Sequence, residues 1–174
     1  SESKVTINAI LFLIYTGCRK GEALTLKWEY VDFGGSCLRL PDSKTGPLSI
    51  PLNEQALAIL RSCSRVNENP FVFPGKKNGT HLANLQTSWS KIRKVANLDD
   101  VRLHDLRHCF ASVAVGLGES LPVIGKLLGH TQTGTTERYA HLADDPLRGA
   151  TKRVGAEIAD SMGILNRFES EIEN

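Results

Sequence analysis

At 174 residues with 41% hydrophobic side chains, the chain is long enough for one well-packed core and too apolar for a disordered segment. Its longest apolar run, Ala9 to Tyr15, is seven residues, too short for a membrane span, and no cationic-then-apolar leader opens it, so a soluble, cytoplasmic protein is expected. The net charge of +2 hides an asymmetry: residues 1–153 carry 20 Lys/Arg against 14 Asp/Glu, or +6, whereas 154–174 carry −4, and a cationic body with an acidic tail suits a polyanionic partner.

In chain order, Thr6–Tyr15 is an apolar helical run ended by Thr16-Gly17, and a second helix is expected over Lys20–Trp28. Two β-like runs, Cys37–Leu40 and Leu48–Leu52, flank the turn-rich Pro41–Pro47 and predict a hairpin. Asn53 reads as the N-cap of a helix running to Val66, with Ala56, Leu57 and Leu60 at helical spacing. A brief extended piece, Phe71–Gly75, precedes helices expected at Leu82–Ala96, Asp105–Leu117, Leu121–Leu128, Thr135–Leu142 and Pro146–Met162. The sum is a mainly α fold with one small antiparallel sheet. Cys18, Cys37, Cys63 and Cys109 are far apart without a C-x-x-C pair, so they read as reduced, buried thiols rather than metal ligands or disulfides.

Three segments carry polar chemistry. Thr16-Gly17-Cys18-Arg19-Lys20-Gly21-Glu22 places an arginine at a junction between helices. His104-Asp105-Leu106-Arg107-His108 sets a histidine and an arginine at i and i+3, beside an apolar stripe of Leu106, Phe110 and Val113. Leu128-Gly129-His130 is followed nine residues later by Tyr139, within Glu137-Arg138-Tyr139-Ala140-His141. Gly118–Lys126 is not a phosphate-binding P-loop, since the glycine spacing is wrong and Leu127 stands where Ser or Thr is needed.

Together these segments resemble the tyrosine recombinases, or phage integrase family. T-G-x-R-x-x-E is met by Thr16, Gly17, Arg19 and Glu22; H-x-x-R-H by His104, Arg107 and His108; L-G-H by Leu128, Gly129 and His130; Y-x-H by Tyr139 and His141. The motifs fall in family order between about residues 5 and 150. Physical chemistry agrees. Attack on a phosphodiester builds negative charge on the non-bridging oxygens, and fixed guanidinium groups meet it with bidentate hydrogen bonds. The acidic pairs Asp99-Asp100 and Asp144-Asp145 look like capping or solvated turn residues rather than holders of a metal pair.

The resemblance implies a tyrosine recombinase catalytic-domain fold over residues 1–153, with 154–174 an acidic amphipathic tail. An N-terminal DNA-clamping domain is expected to be absent from this fragment. Arg19 and Arg107 would bind the scissile phosphate, His130 would donate a hydrogen bond to it, and His104 would assist proton transfer or charge stabilisation. Tyr139 would be the nucleophile and Lys44, in the hairpin turn, the general acid. Glu22 would order Arg19, and His108 would position backbone or Tyr139. Tyr15 and Tyr30, outside any nucleophile motif, read as core or rim. Lys76, Lys77, Lys91, Arg93 and Lys94 are expected DNA-backbone contacts. No metal or organic cofactor is implied. The implied partners are double-stranded DNA and further copies of the chain in a tetrameric synapse. The alternatives are a topoisomerase of the same chemistry, which rejoins the original strand, and a catalytically silent DNA-binding module. In the tail, Val154, Ile158, Met162, Leu165, Phe168 and Ile172 form an apolar stripe interrupted at Gly163, which must bury itself in cis or on a neighbouring protomer.

Overall fold

Ser3 caps the first helix by accepting from the Thr6 amide, and the helix, α1 (Lys4–Thr16), ends where Gly17 turns left-handed at φ 61°. A Cβ there would lie 2.7 Å from the Phe110 ring, so both conformation and space require glycine. The computed structural model describes residues 2–43, 46–66, 68–130, 134–137, 139–140 and 146–161. After Gly17 the chain enters α2 (Lys20–Leu24), shorter than its sequence pattern suggests. The backbone of 26–28 is committed elsewhere: the Leu26 carbonyl accepts from Val72 at 2.8 Å, and the Trp28 amide donates to Pro70 at 2.9 Å. That pairing also explains the extended Phe71 segment.

A short strand missing from the sequence reading, β1 (Val31–Asp32), pairs antiparallel with β2 (Cys37–Ser43), which pairs in turn with β3 (Gly46–Pro51). The order is β1-β2-β3. Leu38, Leu40 and Ile50 point into the core while Arg39 and Ser49 alternate outward, the period-2 pattern of a one-sided sheet. Asn53 accepts from the Ala56 amide to start α3 (Glu54–Ser62), which stops short of Val66 as Cys63 turns extended. Next, α4 (Gln86–Val95) begins four residues later than its apolar pattern, because the Leu82 amide is held by the Phe73 carbonyl. The helices α5 (Asp105–Gly116), α6 (Leu121–Leu127) and α7 (Gly134–Glu137) follow, and α8 (Pro146–Ser161) ends the described chain.

Two apolar clusters result. The larger joins α1, α2, the sheet, α3 and α4 up to Leu103 and Leu106; the smaller comprises Ala111, Ala114, Val115, Ile124, Leu128 and Tyr139. Helix α1 packs against both α3 and α5. The expected stripe on α5 needs correction. Val113 is 62% exposed, and the buried positions are Leu106, Arg107, Ala111, Ala114 and Val115, because a bonded guanidinium occupies the inward face. The thiols differ as well: Cys18 is buried, Cys37 and Cys63 are half-buried, and Cys109 is exposed on the outer side of α5. Val154 and Ile158 of the tail stripe are exposed, and the rest of that stripe lies outside the described residues. Among the described residues no helix is long and apolar enough to cross a membrane.

Candidate active site

Arg19 stands at the N-cap position of α2, aimed by the left-handed turn at Gly17. The Glu22 carboxylate accepts from both its backbone amide, at 2.8 Å, and its guanidinium, at 2.7 Å, so one acid fixes the start of the helix and the direction of the side chain. The other guanidinium nitrogen of Arg19 donates to the Gly129 carbonyl at 3.2 Å.

Arg107 is only 6% exposed. Its Nη1 donates to the Gly17 carbonyl at 2.7 Å and its Nη2 to the Leu128 carbonyl at 2.5 Å, tying the end of α1 to the end of α6. Burial, and then the neighbouring Arg19 cation, pull its pKa below the usual guanidinium value. The two arginines thus hold consecutive carbonyls of one turn, Leu128 and Gly129. That turn requires glycine: Gly129 has φ 64°, and a Cβ would lie 2.7 Å from Leu48 of β3.

His130 comes next in the chain. Its amide donates to the Gly125 carbonyl at 2.8 Å, and its Nδ1 lies 2.9 Å from the Thr136 hydroxyl. On α5, Arg102 and Asp105 brace the first turn with reciprocal hydrogen bonds, and Arg102 holds the Asp105 carboxyl below its ordinary range. His104 sits just before that turn, exposed, with its ring edge-on to His108 at 5.0 Å. His108 Nδ1 is 2.6 Å from the Tyr139 hydroxyl. Tyr139 is 4% exposed and follows α7 in a turn, its amide donating to the Thr136 carbonyl. Beside these groups a cavity of about 350 Å³ is lined by Cys18, Lys20, Gln86, Arg102, His104 and Arg107.

Of the residues singled out from sequence, Arg19, Glu22, His104, Arg107, His108, His130 and Tyr139 therefore gather around one turn. Lys44 lies outside the described residues. The outlying cations divide. Lys76 and Lys77 are exposed on a loop bordering a second cavity of about 630 Å³, and Lys94 is exposed on α4. Lys91 pairs with Glu2 at 3.3 Å, and Arg93 donates to the Val101 carbonyl at 3.3 Å, so these two have partners within the chain. Sequence reasoning passed over Lys20, Gln86, Gly125 and Thr136. Only Lys20 and Gly125 had a signal, each lying within or beside a motif.

The two arginines, the histidines and the tyrosine are thus brought together on a helical frame. Residues 1–145 match the phage integrase family, and the chain belongs to that family of tyrosine recombinases. A tyrosine recombinase of Thermosipho africanus is 33% identical over 150 residues, covering 84% of this chain and 53% of that protein. The shufflon-specific DNA recombinase of Escherichia coli is 30% identical over 142 residues, 78% of this chain and 35% of its own length. The crystal structure of XerA recombinase superposes with a TM-score of 0.69 at 26% identity, over 87% of this chain and 57% of that one. The chain spans about half the length of the first two of these three structural and sequence relatives or less.

Proposed function

We propose that this chain is the catalytic portion of a site-specific recombinase that breaks and rejoins DNA by transesterification. The observation that carries the reading is the pair of guanidiniums on adjacent carbonyls of the turn leading into His130. Held by the fold before any substrate arrives, such charges stabilise a transition state without reorganising. The relationship to a DNA recombinase supports duplex DNA as the substrate.

In the reaction, Arg19 and Arg107 take the non-bridging oxygens of the scissile phosphate, with His130 donating a further hydrogen bond. The Tyr139 oxygen attacks phosphorus, the bond to the 5′ oxygen breaks, and a 3′-phosphotyrosine forms. The phenolic proton leaves through the histidines, His104 assisting, and Lys44 protonates the departing 5′ oxygen, which leaves as a hydroxyl. Attack by a partner strand's 5′-hydroxyl reverses these steps, so the ester retains the energy for rejoining and neither metal nor ATP is required. Glu22 orders Arg19 and His108 positions Tyr139. Strand exchange requires several copies on paired sites, a tetrameric synapse, with exposed cations such as Lys76, Lys77 and Lys94 on the DNA backbone.

A pool of nicked duplexes with randomised flanks around a fixed nick tests this. Wild type should yield a denaturant-resistant protein–DNA adduct and Tyr139→Phe none, with DNA affinity nearly unchanged because binding rests on backbone contacts. An adduct surviving in Tyr139→Phe would overturn the assignment.

A further inference from the structure

The geometry points to Thr136 as a positioning residue that fixes the His130 ring and couples it to the turn bearing Tyr139, an inference that rests on the cleavage reading above. Thr136 is 2% exposed, a site where valine, its isostere, would serve packing alone. Its polar atoms are used instead. The hydroxyl lies 2.9 Å from His130 Nδ1, while the carbonyl of the same residue accepts the Tyr139 amide at 3.0 Å. A Cβ on Gly125 would fall 2.9 Å from that hydroxyl oxygen, so glycine there leaves the room it occupies. The Gly125 carbonyl accepts the His130 amide at 2.8 Å, fixing the backbone from which the ring projects. Gly125 and Thr136 thus hold His130 at both ends, and Thr136 passes the register on to Tyr139.

The chemical need is specific. A histidine that stabilises a phosphate oxygen must present an N–H, and with Nδ1 engaged by Thr136 that nitrogen is Nε2. A hydroxyl donates to Nδ1 of the neutral ring and accepts from Nδ1–H of the imidazolium. Both of those states carry a proton on Nε2. In the remaining state, a neutral ring protonated on Nδ1, the same hydroxyl accepts from Nδ1–H, so what Thr136 fixes is the orientation of the ring, with Nδ1 held and Nε2 at the opposite edge. Valine fills the same volume and can neither donate nor accept.

Thr136→Val and Thr136→Ser separate this role from packing. On the nicked-duplex pool, Val should slow adduct formation on the order of tenfold, less than the roughly hundred- to thousandfold of deleting an oxyanion donor outright. Affinity for the pool should stay within about twofold, since phosphate contacts elsewhere set binding. Ser should restore the rate. Ring ¹⁵N spectra of the free protein should show the His130 Nδ1 signal at one hydrogen-bonded shift in wild type and Ser, and displaced from it in Val. Thr136→Ala, which removes the hydroxyl without putting a methyl in its place, should reproduce the Val spectrum, because the two variants share the loss of the hydroxyl and differ in packing. A wild-type rate in Val, or unchanged His130 ring signals in both Val and Ala, would overturn the role of Thr136. If Tyr139→Phe still forms adduct, the cleavage reading itself fails instead, while the ring spectra still decide whether Thr136 holds the His130 ring.

Discussion

The two apolar clusters are built differently and carry different parts of the candidate site. The larger draws on α1 to α4 and the sheet, and from its edge come Arg19 and one anchor of Arg107, the Gly17 carbonyl. The smaller, packed from α5, α6 and the turn after α7, has Tyr139 as a member and lies beside His130 and Thr136. Arg107 stands on the seam, between Leu106 of one cluster and Ala111 of the other. The division suits the proposed chemistry. Charge that stabilises a transition state must be held still, whereas a buried nucleophile must leave its resting contact to reach a phosphate, and the smaller cluster has less burial to oppose that motion.

The hardest test of the seam is Arg107→Ala. It removes two charge-assisted bonds and leaves the Gly17 and Leu128 carbonyls without their donor, so a stability loss of about 3–5 kcal/mol in urea unfolding is expected, with the adduct abolished. Arg107→Lys should not rescue it, because an ammonium does not span both carbonyls as a fork does. Arg19→Ala should abolish the adduct equally but cost only about 1 kcal/mol or less, since that side chain is partly solvent-exposed. Equal stability losses for the two arginines would show that Arg107 is no more a structural tie than Arg19.

A matched pair of core truncations sharpens the comparison. Leu57→Ala in the larger cluster and Ile124→Ala in the smaller each empty a fully buried site, at a typical cost of about 2–5 kcal/mol. Leu57→Ala should lower global stability by the full amount. Ile124→Ala should instead raise amide exchange chiefly in α6 and the residues up to 140, with a smaller global loss. Exchange rising uniformly along the chain in both variants would mean the clusters unfold as one unit.

How much of this could be read beforehand depends on where each residue's partners lie. Local signals succeeded: Gly17 as a helix stop, Asn53 as a cap, and the alternation of the hairpin all depend on a few neighbours along the chain. Long-range pairing did not announce itself. Nothing near Leu24 reveals that residues 26–28 will pair with 70–72 and shorten the helix, and β1 is too short to show a pattern. Periodicity placed Val113 inside and gave no reason to bury Arg107, because hydrophobicity does not register that two distant carbonyls await a guanidinium. The motifs named the polar residues around the turn. Thr136 was invisible among them, since its value lies in a hydroxyl facing a histidine six residues away and a glycine eleven away.

The last expected effect lies in Cys18, on the larger cluster's side of the seam. Burial pushes its thiol up to about 12, against the opposing influence of the Thr16 hydroxyl. That hydroxyl donates to the Phe12 carbonyl at 2.7 Å and accepts from the Cys18 amide at 3.3 Å, closing the end of α1 around the sulfur. An acid whose folded pKa exceeds its unfolded value favours folding in its neutral form. Its contribution is fully present below the unfolded value near ~8.5 and is lost as pH rises toward the folded one. Between those limits wild type should lose up to about 1.4 kcal/mol per pH unit relative to Cys18→Ala, which has no thiol to ionise. Urea unfolding of both proteins at several pH values between 8 and 11 measures the difference, and the variant cancels the shared titration of lysines and tyrosines. Cys109 supplies the internal control: exposed on α5, it should react with a thiol reagent in the folded protein while Cys18 waits for unfolding. A wild-type-minus-variant stability difference that stays flat across this range would show that the Cys18 site admits the thiolate, and with it water, into the wall behind Arg19 and Arg107.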